Sequence, residues 1–237
     1  MTSPADIDHL NQQAHRLYRL KNGQVMACAQ QACTQALAIG YTAGYREGLI
    51  NQGRAHVLHG AFKEAIALFS HVLALAEEEQ HALQIADCLQ EIARGHYTVG
   101  DYDMALQYWS RCLDAATNAQ AHELWLRALI GLGQIYLAHG DAGTALAHHR
   151  WAQKSWREGN DPTLYDAACL NIAVDLYEMQ CHAEALNVLA QVRETPAQQS
   201  AEIQGILGLI QHARGDLDGA EKALQTARQL NQSHQNA

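Results

Sequence analysis

Histidine and cysteine are the residues of this sequence with the most obvious capacity for metal or redox chemistry. The chain has 14 histidines and six cysteines among 237 residues. Structural zinc sites usually need four ligands in close, recognisable spacings, whereas pairs such as His56 and His59, or Cys181 and His182, have no such companions. The sequence also has no P-loop, G-x-S-x-G, H-E-x-x-H or Rossmann glycine motif. We therefore predict no cofactor and no enzymatic activity, and a metal-dependent enzyme is the least favoured alternative.

Arginine recurs at a regular step, which suggests a different chemistry. Arg54 and Arg94 are 40 residues apart, and Gln134 follows 40 residues after Arg94. Guanidinium groups bind carboxylates and phosphates well. Acidic residues such as Asp87 and Glu91 are close in the sequence and are able to pair with these arginines. Two interpretations stay open, namely a local cationic spot that binds a ligand and a surface whose charges neutralise one another.

The composition indicates the elements that must position these residues. Apolar residues make up 48 % of the chain, only three residues are proline, and β-branched residues are sparse, which favours helices over sheets. The formal net charge is −9, without a basic stripe, so a nucleic-acid partner is disfavoured. No apolar run is long enough to span a bilayer, and no signal peptide is evident. We predict a cytoplasmic protein with reduced cysteines.

An internal repeat organises the chain. Gly60, Gly100 and Gly140 are equally spaced, at the same step that separates the two arginines. Each ends one helix and, with the residue after it, starts the next. An apolar stripe on each predicted helix is too narrow to be stable alone, so stacked hairpins would bury it. Around each glycine, small and aromatic residues recur at fixed offsets: Gly53, Ala65 and Phe69; Ala93, Ala105 and Trp109; Gly133, Ala145 and His149.

The pattern of a small residue, Tyr or His, Gly, Ala and an aromatic resembles the tetratricopeptide repeat (TPR) family. Gly133, Tyr136, Gly140, Ala145 and His149 carry it most clearly, although His149 replaces the usual large aromatic. The resemblance covers about residues 6–232, with a step of 40 rather than the usual 34 or so. It implies an all-α, right-handed α-solenoid of about six helix hairpins in a single domain, 1–237. The expected repeats are 6–40, 44–79, 81–119, 121–159, 163–195 and 197–232, with inter-repeat turns at Asp161-Pro162 and Thr195-Pro196.

In this family the first helix of each hairpin lines a concave groove, so the resemblance also implies a binding surface. Amide side chains in the groove can bond an extended peptide backbone, and tyrosines offer amphipathic contact area. The groove residues predicted to bind a protein or peptide segment are Asn51, Arg54, Gln90, Arg94, Tyr97, Arg127, Gln134, Asn171 and Tyr177.

The predicted function is therefore a non-catalytic, peptide- or protein-binding repeat module. Its similarity to the regulatory or sensory TPR regions of bacterial signalling proteins suggests a module that serves an output domain such as a GGDEF-type diguanylate cyclase. The alternative is a receptor for a small molecule or signal peptide. Self-association as a homodimer is a further expectation, through an end of the chain or through an outer helix face bearing Trp151 and Trp156.

Overall fold

A computed structural model describes residues 2–192 and 197–235, with side chains for 2–192 and 201–232. In these ranges the chain folds into helices joined by short turns, and its one β-type pairing is an isolated bridge between Glu158 and Asn160. The helices are α1 (Pro4–Arg19), α2 (Val25–Ile39), α3 (Thr42–Leu58), α4 (Phe62–Glu78), α5 (Ala82–Thr98), α6 (Tyr102–Asn118), α7 (His122–Ala138), α8 (Ala142–Ser155), α9 (Pro162–Glu178), α10 (His182–Leu189), α11 (Ala197–Ala213) and α12 (Leu217–Gln235).

The all-α prediction is confirmed, and the helices follow one another as six successive pairs across the described residues. Observed turns lie at the predicted breaks, for example at Asp161 before Pro162. The predicted turn at Thr195 and Pro196 lies outside the described residues. Contacts divide the chain into two compact units, Met1–Trp125 and Leu126–Ala237, and each is described separately below. The single domain and the right-handed superhelix remain predictions.

The turn residues explain why the helices end where they do. Gly100 and Gly140 adopt left-handed backbone angles, with φ of 83° and 82°, which glycine tolerates without steric cost. The following aspartates cap the next helices, because Asp101 accepts a hydrogen bond from the Met104 N–H and Asp141 accepts one from the Thr144 N–H. The Gly-Asp pairs seen in the sequence therefore act as a stop followed by a start.

Close crossings inside the helix pairs depend on the small residues of the repeat. A Cβ atom added to Gly53 would lie 2.7 Å from Phe69 Cε1, and one added to Gly133 would lie 2.4 Å from His149 Nε2. Both distances are far shorter than van der Waals contact, so each glycine lets the ring of the second helix pack directly on the first helix. The small residue at this position of the repeat therefore permits the close helix crossing.

The cysteines and the helices bear on the predictions for redox chemistry and for the membrane. Cys88 and Cys112 are buried, and burial raises the pKa of the Cys112 thiol to about 12. Such thiols stay protonated at neutral pH, so neither supplies a reactive thiolate.

Among the described helices, none has the length and apolarity that a membrane crossing requires.

Candidate functional site

In the first unit, α1 and α3 are held together by a buried amide network. The Asn51 Nδ2 group donates to the main-chain oxygen of Asn11 at 3.2 Å, and the Asn11 Nδ2 group donates to the Gly44 carbonyl oxygen at 2.9 Å. Asn51 has no exposed surface and Asn11 is 4 % exposed. Asn51 was predicted to contact a ligand, but in the structure its amide instead joins α3 to α1.

Arg54, on α3, lies at the centre of a cluster of charged side chains. Its guanidinium lies 3.2 Å from Asp87, 3.6 Å from Glu91 and 3.7 Å from Glu47, and only 9 % of its side chain is exposed. Burial opposes the charged form most strongly, yet the summed attraction of these carboxylates outweighs it and raises the pKa of Arg54. Arg54 therefore remains charged but is already neutralised by the protein.

Arg94 is placed differently from Arg54, although the two are one repeat step apart. Its Nη1 group donates to Glu91 at 3.1 Å, and half of its side chain is exposed. Glu91 thus lies between both arginines, with 6 % of its side chain exposed. Of the two interpretations left open by the sequence, the geometry at Arg54 fits the self-neutralising surface rather than the cationic spot.

A cavity of about 480 Å³ opens beside this cluster, between α1 and α3. His15 contributes to it, with its Nδ1 atom 3.2 Å from Arg54 Nη1. Burial lowers the pKa of His15, and the positive charge of Arg54 lowers it further, so the neutral ring is able to accept a hydrogen bond from Arg54. We call this space the α1–α3 cavity; it is lined by Asp8, Asn11, Gln12, His15, Glu47 and Arg54.

Gln90 and Tyr97, both on α5, differ in their access to solvent. Gln90 is 6 % exposed, and its Oε1 atom has no hydrogen-bond partner among the described residues. Tyr97 is 37 % exposed, and its ring centre lies 5.6 Å from that of Tyr102. Burial raises the pKa of the Tyr97 phenol. Tyr97 thus offers accessible ring surface, whereas Gln90 is mostly covered.

In the second unit the predicted binding residues pair within the unit. Gln134 Nε2 donates to Asn171 Oδ1 at 3.4 Å, and Asn171 Nδ2 donates to the Ala167 carbonyl oxygen at 2.8 Å. Arg127 lies 3.3 Å from Asp161. Tyr177 is half-buried beside His182, with 5.8 Å between ring centres.

The two tryptophans expected on an outer helix face differ in their exposure to solvent. Trp151, on α8, is 51 % exposed. Trp156 ends α8 and is half-buried, and its Nε1–H donates to the Asp161 carbonyl oxygen at 3.0 Å. Trp156 therefore stabilises the turn into α9, and only Trp151 offers a large exposed surface of the two.

A fully buried pair, which the sequence did not suggest, occupies the core of the second unit. His149 Nδ1 lies 2.6 Å from Asp175 Oδ2, and both side chains are 0 % exposed. His149 Nε2 lies 3.1 Å from the Ile130 carbonyl oxygen. Burial raises the pKa of Asp175, an effect opposed by its hydrogen bond with His149. The pair is enclosed and cannot reach a substrate, so its role is in packing.

Metal binding depends on the arrangement of possible ligands. Within residues 2–192 and 197–235, no group of three or more His, Cys, Asp or Glu side chains is placed to hold a metal ion. Two histidines of the repeats make other contacts: His59 Nδ1 lies 2.7 Å from the Ala55 carbonyl oxygen, and the ring of His148 stacks on Tyr136 with 5.2 Å between centres.

Sequence reasoning missed the contribution of α1 to the α1–α3 cavity. Asn11 precedes Asn51 by one 40-residue repeat step, so applying the same step once more towards the N-terminus would have identified it. The first copy of the repeat has few of the signature residues, which concealed this register. His15 carries no comparable signal, because it stands one position out of that register relative to Arg54 and contacts it only through the packing of α1 on α3.

The chain was compared with known proteins by sequence and by structure. No family model matches the sequence, and no curated protein matches it. BtubC (BKLC) from P. vanneervenii is similar in structure, with a TM-score of 0.69 and 17 % identity over 90 % of this chain and 91 % of that one. A putative kinesin light chain with nearly identical TPR-like repeats from Podosopora anserina has a TM-score of 0.65 and 17 % identity, over 81 % and 95 %.

A third similar structure is a Rap protein complexed with Competence and Sporulation Factor. Its TM-score is 0.68 at 15 % identity, over 96 % of this chain and 78 % of that one. Identities this low show a shared fold and nothing more. Together with the helix pairs and their glycine-dependent crossings, they show that the chain has a fold of the tetratricopeptide-repeat type.

Proposed function

We propose that this chain is a non-catalytic repeat module that binds a peptide or protein segment through the face formed by α1, α3 and α5. The observation that carries the proposal is the α1–α3 cavity, because it is an open space lined by polar and charged residues beside a cluster of paired charges. Arg54 is held by its carboxylates and Asn11 by its hydrogen bond to the Gly44 carbonyl oxygen, so the positions of these two lining side chains are set before a ligand arrives. Preorganised groups of this kind reduce the entropy lost on binding.

The cavity offers both donors and acceptors for a peptide. Gln12 and Glu47 border it with exposed or half-exposed side chains. Amide and carboxylate groups bond readily to main-chain N–H and C=O groups. A volume of about 480 Å³ is in the range of small-ligand sites, so it admits one or two residues of a bound segment rather than a whole helix.

The structural neighbours support the same class of function. One of them is a Rap protein whose structure includes Competence and Sporulation Factor, and the Rap conjugation gene regulator of plasmid pLS20 was solved in complex with the Phr* peptide. These ligands belong to those proteins. The same kind of fold is thus used elsewhere for peptide binding, and we extend that use to this chain.

The narrower role in the proposal is regulatory. We infer a cytoplasmic module of a bacterial signalling protein, such as one with a GGDEF-type diguanylate cyclase, from the resemblance of the repeats to sensory TPR regions.

The second candidate function, a receptor for a small molecule or signal peptide, is favoured by the size of the same cavity. A homodimer through the exposed surface of Trp151 is part of the proposal as well.

A steric block tests the proposed function. A random peptide library displayed on phage would be selected on the full chain, and each enriched peptide would be titrated against two variants. Gln12→Trp places a large ring at the border of the cavity, whereas Gln30→Trp adds the same ring at an exposed position of α2. We expect enriched peptides to lose at least about tenfold in affinity with Gln12→Trp, or about 1.4 kcal/mol.

The control fixes the meaning of that loss. Binding to Gln30→Trp should remain within about twofold of the unmodified chain, and both variants should unfold at the same denaturant concentration. Failure to enrich any peptide, or equal binding to Gln12→Trp and the unmodified chain, would show that this cavity is not a peptide site.

A further inference from the structure

Arg54 is the single cationic side chain among the described residues that line the α1–α3 cavity, and each of its nitrogen atoms is engaged. Its Nε atom lies 3.6 Å from Glu91, and its Nη2 group donates to Asp87 at 3.2 Å. Its Nη1 group lies 3.2 Å from His15 Nδ1 and 3.5 Å from Asn51 Oδ1. An anionic ligand would therefore have to compete with carboxylates that are already in place.

Two carboxylates of the same cavity retain the capacity to accept hydrogen bonds. Glu47, on α3, is 42 % exposed, and its contact with Arg54 Nη1 is 3.7 Å, which is longer than a hydrogen bond. Asp8, on α1, is partly exposed, and its Oδ1 atom accepts a hydrogen bond from the Tyr41 hydroxyl at 3.0 Å. An ionised carboxylate has about four acceptor positions, so both groups are able to take further donors.

The other polar groups of the cavity add no positive charge. Burial and the charge of Arg54 both lower the pKa of His15, so its ring is neutral at pH 7. Arg19 also acts on this ring, but it lies roughly 16 Å along α1 from Asp8. The two remaining lining residues are uncharged amides. The accessible charge of the cavity is therefore that of Asp8 and Glu47, which attracts cations.

An organic cation suits these groups better than a metal ion does. A divalent metal ion needs several ligand atoms that converge on one point. Within the part of the chain that the structure describes, no three His, Cys, Asp or Glu side chains are grouped in this way. An ammonium group has three donors on a flexible stem, and a guanidinium has five donors in a fork. Such groups are able to donate to carboxylates that lie apart on the wall of a cavity.

We propose that the α1–α3 cavity takes a cationic group of the bound peptide, with Asp8 and Glu47 as the acceptors. The cation is a lysine or arginine side chain of the peptide or its free amino terminus. This inference rests on the proposed function, because it assigns the chemistry of the ligand at the same site. The formal net charge of −9 acts in the same direction, since it favours the approach of a basic peptide.

The test is an NMR titration of the ¹⁵N-labelled full chain with short peptides at constant ionic strength. The first probe is N-acetyl-alanyl-lysyl-alanine amide, and its uncharged match has norleucine in place of lysine. A third probe, alanyl-norleucyl-alanine amide, carries its charge on the free amino terminus and so distinguishes the two sources of the cation.

The expected result is a preference for charge at this cavity. At least one charged probe should give saturable shifts of the Gln12 and Glu47 main-chain amides, and Gln12→Trp should abolish them. The uncharged probe should bind at least about tenfold more weakly, because hydrogen bonds with charged partners are roughly twice as strong as neutral ones.

Glu47→Gln and Glu64→Gln form a matched pair for the same titration. Glu47→Gln removes a lining carboxylate, whereas Arg54 keeps its closer contacts with Asp87 and Glu91. We expect the preferred charged probe to lose at least about threefold in affinity. Glu64 is exposed on α4 and does not line the cavity, so Glu64→Gln makes the same change in net charge and should leave the affinity within about twofold.

Three results would overturn the assignment of a cation. One is an absence of saturable shifts with both charged probes, and another is equal binding of the charged and uncharged probes. The third is an equal loss of affinity with Glu47→Gln and Glu64→Gln, which would indicate attraction by the net charge rather than contact in the cavity. The proposed function fails separately, because it depends on whether phage-selected peptides of any charge lose affinity with Gln12→Trp.

Discussion

The cluster around Arg54 in the first unit and the His149–Asp175 pair in the second unit are two ways of placing charge inside a repeat protein. Arg54 is nearly buried, but its partners Glu47 and Asp87 are 42 % and 29 % exposed, so water still solvates part of the cluster. His149 and Asp175 are completely buried. The first arrangement is in contact with solvent, and the second is not.

The second arrangement replaces an apolar contact of the repeat. Phe69 and His149 occupy the same position of their repeats, against Gly53 and Gly133. Asp175 stands one repeat step after Ile135, at a position where the three preceding copies have the apolar or small residues Ala55, Gly95 and Ile135. The aspartate thus supplies the hydrogen-bond partner that a histidine needs in a position built for a hydrocarbon ring.

The geometry of the pair also fixes its protons. The Ile130 carbonyl oxygen accepts from His149 Nε2, so that nitrogen carries a hydrogen. A contact of 2.6 Å between His149 Nδ1 and Asp175 Oδ2 then requires one further proton between them. The pair is therefore either an ion pair or two neutral groups, and it has no net charge in both cases.

The largest expected effect comes from breaking this pair. Asp175→Ala leaves His149 buried without its partner, and we expect the free energy of unfolding to fall by about 3–5 kcal/mol. Asp175→Asn retains a group that donates to His149 Nδ1 and should cost less than half as much. Urea denaturation followed by circular dichroism measures both variants. Equal losses would show that the hydrogen bond between these residues contributes little.

A smaller loss is expected in the first unit. Arg54→Met removes one of the two partners of Glu91, whose side chain is 6 % exposed, together with the hydrogen bond that Arg54 donates to Asp87 at 3.2 Å. We expect a loss of about 2 kcal/mol, typical of hydrogen bonds to charged groups. Arg94→Met is the matched control, because Arg94 is half-exposed and pairs with the same carboxylate. Its cost should stay below about 1 kcal/mol. The same denaturation experiment would contradict this contrast if both variants lost the same free energy.

The smallest expected effect is the dependence of stability on pH that Asp175 of the second unit contributes. Burial raises the pKa of Asp175 in the folded chain. A carboxyl group whose pKa is higher in the folded chain than in the unfolded chain, where it is about 3.9, contributes its full stabilisation below that unfolded pKa. This contribution to the free energy of unfolding is lost as the pH rises through the pKa of the folded chain. The stability of the unmodified chain relative to Asp175→Asn should therefore decrease from pH 4 to pH 8, by on the order of 1 kcal/mol. A constant difference over that range would contradict the protonation of this pair.

Much of the fold could be predicted from the sequence because its determinants are local. The regular spacing of Gly60, Gly100 and Gly140 reports where helices end, and the aspartate after two of them reports where the next helix starts. Helix capping and left-handed turn conformations act over a few residues. The small residues Gly53 and Gly133 likewise reveal close crossings, since their neighbours in space recur at a fixed offset.

The candidate site was predicted less completely. The 40-residue spacing of Arg54 and Arg94 placed both residues on the first helices of their repeats. It does not reveal that Arg54 is paired with three carboxylates while Arg94 is half-exposed. Asn51 was predicted to face a ligand, yet it is buried against Asn11. A side chain's partner in the next helix depends on packing distances of a few ångströms, which sequence spacing does not contain.

The sequence by itself thus determined an all-α chain of paired helices, their boundaries and the small residues at their crossings. Tertiary structure alone decided which polar groups remain available. It neutralised Arg54, enclosed His149 with Asp175 and left Tyr97 with accessible ring surface while covering Gln90. The reason is that helix formation follows local backbone preferences, whereas the solvation and charge of a side chain depend on neighbours that are distant in the sequence.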